Sequence, residues 1–179
     1  MGAGSPVNVG AFETTVHAGA HADAPLHYQS GGASAAEVAL EAYVGRCQVV
    51  DARASGAAIT REFVGDALPS PPKRVLFRTY EHFPHDAWRS DFTTIDAAAI
   101  TWLAKRGVRL IGMDSPSLDP QDSKTMDAHL AVLAAGMRVL EGLVLDDVPP
   151  GDYELIALPL KLAELDASPV RAILREMMG

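Results

Sequence analysis

Eleven residues, His17 to His27 (H-A-G-A-H-A-D-A-P-L-H), constrain this chain more than any other stretch. Three imidazoles and one carboxylate fall within it, although the whole chain has only six histidines. Gly19 and Pro25 disfavour a regular helix, so the sequence predicts an irregular loop that turns its side chains toward one point. Neutral imidazoles and a carboxylate are ligands that zinc and manganese accept. The stretch therefore predicts a metal site.

A structural interpretation of the same stretch is a turn whose histidines cap backbone groups or face solvent. That interpretation suits a single histidine better than the combination of His17, His21 and Asp23. The zincin motif H-E-x-x-H is excluded because no Glu follows either histidine. The sequence also lacks a P-loop and a G-x-S-x-G elbow, which excludes the α/β-hydrolase route to amide cleavage.

Net charge and cysteine content limit the partners and the cellular compartment that the sequence allows. The formal charge is −8, and no run of Lys or Arg could follow a phosphate backbone, so neither nucleic acid nor an anionic membrane is an expected partner. Cys47 is the only cysteine, which excludes an intramolecular disulfide and makes a cytoplasmic protein the expectation. No segment resembles a signal peptide or a spanning helix. The length suits a single domain over residues 1–179.

Apolar patterns predict a mixture of strands and helices. Strands are expected at Val7–Thr15, Cys47–Ala52, Arg74–Thr79, Val108–Met113 and Tyr153–Leu160. Helices are expected at Ala35–Tyr43, Arg61–Leu68, Asp96–Arg106, Thr125–Ala135 and Pro169–Met177. The elements do not follow a strict βαβ repeat. The expected class is therefore α/β with a mixed or antiparallel sheet and flanking helices.

Several polar residues outside the first stretch have more than one interpretation. Asp114 ends an apolar strand and is expected to hold the next loop through its N–H groups rather than to act in catalysis. His129 lies on an amphipathic helix, where a lone histidine is usually structural. Glu141 interrupts an apolar run, where its charge is costly unless it meets a cation or a metal. His82 and His85 lie in an irregular loop, either a functional cover or a mobile insertion, and their spacing ties neither to a metal.

Taken together, several segments resemble a known family. In chain order they are H-A-G-A-H-A-D-A-P-L-H-Y, G-M-D-S-P-S-L-D-P, K-T-M-D-A-H, V-L-E-G-L-V-L-D-D-V and G-D-Y-E-L-I-A-L-P-L-K. They resemble the bacterial kynurenine formamidases, members of the cyclase family of metal-dependent hydrolases, over nearly the whole chain. The H-x-G-x-H-x-D-x-P-x-H signature is specific to the wider family. The later segments, including D-A-S-P-V-R, resemble the formamidase branch.

The resemblance implies a role for each candidate residue. The implied metal ligands are His17, His21, Asp23, His129 and Glu141. The first three would bind one Zn²⁺ and His129 a second, while Asp23 and Glu141 would contact both ions. Mn²⁺ or Co²⁺ would suit the same ligands. His27 matches the catalytic histidine, and the resemblance also implies a swivelling β/β/α fold and a homodimer.

The implied reaction is the hydrolysis of N-formyl-L-kynurenine to L-kynurenine and formate, a step in tryptophan degradation. Two alternatives stay open. A related hydrolase of a cyclic amide such as isatin would share the metal loop and differ in its pocket, and a metal-binding protein without activity is the other alternative. Members of the family usually begin with a further segment that carries a strand and a substrate-contacting aromatic residue. Without that segment the sheet is expected to lack an edge strand and the pocket a wall.

Overall fold

The computed structural model describes residues 6–177. Its strands are β1 (His21–Asp23), β2 (Val44–Asp51), β3 (Ala58–Ile59), β4 (Arg74–Arg78), β5 (Thr94–Ile95), β6 (Leu110–Met113), β7 (Arg138–Glu141), β8 (Gly151–Ile156), β9 (Ala167–Pro169) and β10 (Ile173–Glu176). Its helices are α1 (Arg61–Ala67), α2 (Ala97–Lys105) and α3 (Asp127–Ala134), with short 3₁₀ helices at Pro25–His27 and Leu40–Tyr43. None of these helices has the length and apolar character that a membrane crossing requires.

One eight-stranded sheet has the order β10-β8-β2-β4-β6-β7-β1-β9. Its centre, from β2 through β4 and β6 to β7, is parallel. Antiparallel strands extend both edges, β8 and β10 on one side and β1 and β9 on the other. Because parallel strands are covered on both faces, their sequences are continuous apolar runs. The α/β class with a mixed sheet and flanking helices is confirmed.

The two faces of the sheet pack against different parts of the chain. Val75 and Val139 point to the face covered by the three helices. Leu76 and Leu140, their neighbours in sequence, point to the opposite face and pack with Tyr43. This alternation follows from the two-residue period of a strand. The alternation therefore determines which face of the sheet each side chain of β4 and β7 occupies, including the charged side chains.

Most of the central elements lie where the sequence predicts them, with shifted ends. The four expected strands between Cys47 and Leu160 correspond to β2, β4, β6 and β8. The three expected helices between Arg61 and Ala135 correspond to α1, α2 and α3. Thr60 caps α1, because its side-chain oxygen accepts the backbone N–H of Phe63 at 3.2 Å.

Three predicted elements are wrong. Residues 7–15 form no strand, and the exposure of Val9 and Phe12 shows that their apolar alternation faces no core. Only the end of the expected helix at Ala35–Tyr43 is helical, as a 3₁₀ turn. The expected terminal helix at Pro169–Met177 is replaced by the end of β9 and by β10, which pairs with β8. Pairing with the edge of β8 outweighs the helical spacing of the apolar residues in this segment.

Candidate metal centre and adjoining pocket

The predicted site loop contains a short strand that sets two candidate ligands on one face of the sheet. β1 pairs with β7 so that His21 lies opposite Glu141 and Asp23 lies opposite Val139. Side chains alternate along a strand, so His21, Asp23 and Glu141 share one face. The helices cover that face, and α3 brings His129 to it. The expectation of an irregular loop is therefore wrong at β1, although the side chains do converge.

The Asp23 carboxylate lies between three imidazoles. Its Oδ1 is 3.1 Å from His17 Nδ1 and 3.4 Å from His21 Nε2, and its Oδ2 is 3.5 Å from His129 Nε2. Glu141 is placed in the same way, with Oε2 3.4 Å from His21 Nε2 and Oε1 3.3 Å from His129 Nε2. Each carboxylate thus presents one oxygen to His21 and the other to His129.

These close approaches are not hydrogen bonds. His21 Nε2, His129 Nε2 and both oxygens of Asp23 are buried and have no hydrogen-bond partner. Buried polar atoms without partners are energetically costly. A cation bound between these nitrogen and oxygen atoms would remove that cost. Ligand atoms held roughly 2.0–2.2 Å from a tetrahedral zinc lie about 3.3–3.6 Å apart, close to the separations found here. By its donor set and spacing, the cluster could hold a divalent metal ion.

Contacts outside the cluster orient two of the imidazoles. His21 Nδ1 donates to the carbonyl oxygen of Gly19 at 2.8 Å, and His129 Nδ1 donates to Asp119 Oδ2 at 2.6 Å. With the proton on Nδ1, the Nε2 lone pair faces the carboxylates, as metal ligation requires. Gly142 has φ +61°, and a Cβ there would lie 2.6 Å from the Gly19 oxygen. A glycine at 142 therefore permits the close approach that orients His21.

The carboxylates of the cluster favour the protonated forms of the imidazoles beside them. Burial disfavours the charged form of His21, but Asp23 and Glu141 outweigh burial and raise its pKa to about 10. Burial opposes protonation of His129 as well, and there the carboxylates, led by Asp119, raise the pKa to about 11. Burial by itself would raise the pKa of Asp23, yet its histidine neighbours hold that pKa well below the usual range. A divalent cation would take the place of the protons.

We expect metal affinity to rise with pH far beyond the titration range of free imidazole. Metal binding must displace the protons of His21 and His129, whose pKa values are raised to about 10 and about 11, so protons compete at every pH below those values. The association constant should increase between about pH 6 and about pH 9, by up to about 100-fold per pH unit if both protons leave. Calorimetric titration in buffers of different ionisation enthalpy counts the released protons. An affinity independent of pH over that range would contradict this prediction.

His27 lies at the edge of the cluster, beside His17. Its Nδ1 is 2.9 Å from Asp166 Oδ2, and the same oxygen is 2.9 Å from His17 Nε2. The His27 side chain is 29% exposed, whereas that of Asp23 is fully buried. Asp166 directly precedes β9, and its carbonyl oxygen accepts the N–H of Ala24 at 2.8 Å. The bond to Asp166 therefore uses Nδ1 of His27 and not Nε2.

Sequence reasoning assigned no role to Asp166 or Asp119. Asp166 lies 139 residues beyond His27, so no local spacing joins the two. The only signal was its segment D-A-S-P-V-R, which contributed to the family resemblance. Asp119 also accepts two backbone N–H groups at the start of α3, so it fixes the helix and its histidine together.

An open cavity of about 470 Å³ adjoins His17 and His21. One wall is the irregular loop after β4, which contributes Tyr80, Phe83, Pro84, His85, Ala87, Trp88 and Arg89. The Asp114 carboxylate holds the start of that loop by accepting the N–H groups of Thr79 at 2.8 Å and Tyr80 at 3.0 Å. Asp114 anchors a loop through backbone N–H groups as predicted, but that loop is the one after β4 and not the one that follows Asp114 itself. The position of the loop beside the cavity supports its interpretation as a functional cover.

Comparison with known proteins agrees with this geometry. The model of the Cyclase family matches residues 5–120. The chain belongs to the cyclase family. Two curated relatives, each named kynurenine formamidase, come from Sphingopyxis alaskensis and Erythrobacter litoralis. Both are 56% identical, over 177 and 179 residues, and the matches cover 99% of this chain and 85% and 81% of the relatives.

Solved structures share the cyclase-family fold. A potential metal-dependent hydrolase with cyclase activity has a TM-score of 0.84 at 34% identity, covering 92% of this chain and 82% of that chain. Isatin hydrolase A from Labrenzia aggregata has a TM-score of 0.76 at 28% identity, covering 88% of this chain and 72% of that chain. The family that the sequence resembles is confirmed.

Proposed function

We propose that this cyclase-family chain hydrolyses N-formyl-L-kynurenine to L-kynurenine and formate, a step in tryptophan degradation. The two relatives named kynurenine formamidase support this substrate. The observation that carries the proposal is the group of buried, unpartnered donor atoms beside an open cavity with aromatic side chains. An aryl formamide could place its ring against the aromatic wall and its formyl group at the cluster.

The proposed metal ligands form two sets that share their carboxylates. His17, His21 and Asp23 would hold one divalent ion and His129 a second, and the two ions would share Asp23 and Glu141. The placement of the carboxylate oxygens, one toward His21 and one toward His129, supports this assignment. Zn²⁺ is the proposed ion, and Mn²⁺ and Co²⁺ accept the same ligands. Bound ions would polarise the formyl oxygen and lower the pKa of a water toward neutrality.

His27 is the proposed proton carrier and Asp166 the residue that positions it. Asp166 accepts the Nδ1–H of His27, which leaves Nε2 to take up and deliver protons. When the C–N bond of the formamide breaks, the departing aniline nitrogen needs a proton, and Nε2–H of His27 supplies it. Asp166 also accepts the Nε2–H of His17, so Nδ1 of His17 faces Asp23. One carboxylate oxygen thereby orients a proposed ligand and the proposed acid.

We expect Trp88→Ala to raise KM about 2- to 10-fold, because an aromatic contact with the substrate contributes about 0.5–1.5 kcal/mol to binding. We expect little change in kcat, because Trp88 lies in the cavity wall rather than in the cluster. Its Nε1 donates to Gln121 Oε1 at 2.5 Å, which holds the indole in that wall. Steady-state kinetics test the prediction. His82→Ala, in the same loop but not lining the cavity, is the control. A lower kcat at unchanged KM would argue against a binding role for the indole.

The test of function compares N-formyl-L-kynurenine with isatin on metal-loaded protein. We expect the protein to hydrolyse the linear formamide and release formate. We also expect a metal content of about two ions per chain. The likeness to isatin hydrolase A makes hydrolysis of isatin the second candidate function, and turnover of isatin alone would select it. A metal-loaded chain that acts on neither compound would be a metal-binding protein without activity. A firm content of one ion would reject the two-ion assignment.

We further propose that residues 1–179 form one domain, and that the chain acts as a homodimer in the cytoplasm. The sheet, which draws strands from His21 to Glu176, supports a single domain. Cys47, a buried and unpaired cysteine, is compatible with a reducing compartment. Sedimentation equilibrium tests the dimer, since a solution mass equal to the 19.0 kDa of one chain would contradict it.

A further inference from the structure

A second cavity lies on the face of the sheet opposite the metal cluster. It has a volume of about 380 Å³, and its charged lining residues are Glu41, Lys73, Arg74, Arg109 and Arg138. Arg74 begins β4 and Arg138 begins β7, and both are in register with Leu110 of β6. Residues in register share a face, and Leu110 packs on the side away from the helices. The cavity is therefore separate from the proposed catalytic site.

Four cationic side chains line this cavity, and none of them forms an ion pair within residues 6–177, although the formal charge of the chain is −8. The ion pairs of arginine in the described range 6–177 are made by Arg46, Arg53, Arg61, Arg89 and Arg175. None of these lines the cavity. The one acidic lining residue within that range, Glu41, forms no ion pair with the four cations.

The backbone keeps the cations together. The carbonyl oxygen of Lys73 accepts the N–H of Arg109 at 2.7 Å, and that of Arg109 accepts the N–H of Arg138 at 2.8 Å. Like charges held at the starts of β4, β6 and β7 repel each other, and repulsion in a partly enclosed space is screened less than on an open surface. An anion in the cavity would relieve that repulsion.

Arg74 is the buried member of the group, with 9% of its surface exposed. Its Nε donates to the carbonyl oxygen of Ala42 at 2.6 Å, and its Nη2 donates to that of Glu41. Its Nη1 lies over Gly45, where a Cβ would be 3.0 Å away, and Gly45 has a φ of +121° that favours glycine. Backbone carbonyls thus fix the guanidinium, but no carboxylate neutralises it. A buried charge of this kind is costly without a counter-charge.

We propose that this cavity binds a small phosphate-bearing anion. Guanidinium groups match the geometry of phosphate oxygens and can form paired hydrogen bonds, and a lysine adds a point charge. The volume of about 380 Å³ falls in the range of small-molecule sites, which is about 300–1,000 Å³. The proposal is independent of the hydrolytic function, because it uses none of the cluster residues.

Inorganic pyrophosphate is the probe, titrated calorimetrically into metal-loaded protein at fixed ionic strength. The wild-type chain should bind one pyrophosphate saturably at the cavity. The variant Lys73→Gln/Arg109→Gln/Arg138→Gln should bind about 10- to 100-fold more weakly. The control Lys124→Gln/Arg61→Gln/Arg171→Gln removes the same charge from exposed positions outside the cavity and should bind as the wild type does.

Three results would overturn the proposal. Equal weakening in both triple variants would show only general electrostatic attraction. Binding that survives in the cavity variant and inhibits hydrolysis would place the anion on the metal centre. No saturable binding by the wild-type chain at concentrations on the order of 1 mM would leave the site without a ligand of this class. If the cavity variant does not fold, the wild-type chain provides the test. Pyrophosphate should then shift the backbone amide resonances of Gly136 and Arg138, and unshifted resonances would reject the site.

Discussion

Asp23→Asn should empty the metal centre and lower kcat/KM by on the order of 10³–10⁵-fold, because the loss of bound ions removes several kcal/mol of transition-state stabilisation. Asp23 is the carboxylate that lies within 3.5 Å of all three candidate imidazole ligands. Asn keeps the shape of the side chain but replaces one anionic oxygen by an NH₂ group, which cannot ligate a cation. His17, His21 and His129, whose pKa values are all raised, would also lose part of their compensation. Metal analysis after dialysis and steady-state kinetics are the measurements.

A matched control for this variant is Asp152→Asn. Asp152 is an exposed carboxylate that pairs with Arg46 at 3.0 Å, far from the proposed ligands in the sheet order. Its replacement should leave both metal content and activity near the wild-type values, since exposed ion pairs contribute little. An Asp23→Asn chain that keeps its metal and its turnover would remove Asp23 from the ligand set.

His27→Asn should lower kcat by about 10²–10⁴-fold and leave the metal content near that of the wild type, because general acid–base catalysis usually contributes that much. The side chain is at the rim of the cluster, and its Nδ1 is bound to Asp166 rather than turned toward the carboxylates of the centre. Parallel measurement of metal content and turnover separates this variant from Asp23→Asn. A loss of metal in His27→Asn would make His27 a ligand, in keeping with its proximity to His17 and Asp23. The proton carrier would then be sought in the pocket loop, where His85 lines the cavity.

Asp166→Asn tests the residue proposed to position His27, with the same two measurements of metal content and turnover. Loss of a carboxylate that orients a ligand or an acid typically lowers metal affinity or activity by about 10–100-fold. Because Asp166 contacts both His17 and His27, both readouts should move by moderate amounts, in contrast to the two variants above.

Local sequence was sufficient to predict the α/β class and the grouping of His17, His21 and Asp23, whereas the resemblance to the cyclase family was needed to add His129 and Glu141. The stretch from His17 to His27 is dense in donors because a metal needs several ligands within a few ångströms, and a short segment can supply most of them. The runs that became β4 and β6 were recognisable because a strand buried on both faces needs a continuous apolar sequence. The isolated acid Glu141 was recognisable from its cost in such a run.

Tertiary structure alone decided which distant groups meet. β1 is too short to show a pattern and exists because β7 and β9 supply its hydrogen-bond partners. The edge of β8 made β10 a strand where the apolar spacing suited a helix. The contact of Asp166 with His27, like the convergence of four cations at the strand starts, joins residues that are far apart in the chain. Strand pairing and charge proximity depend on partners elsewhere in the fold, and a local pattern carries no record of those partners.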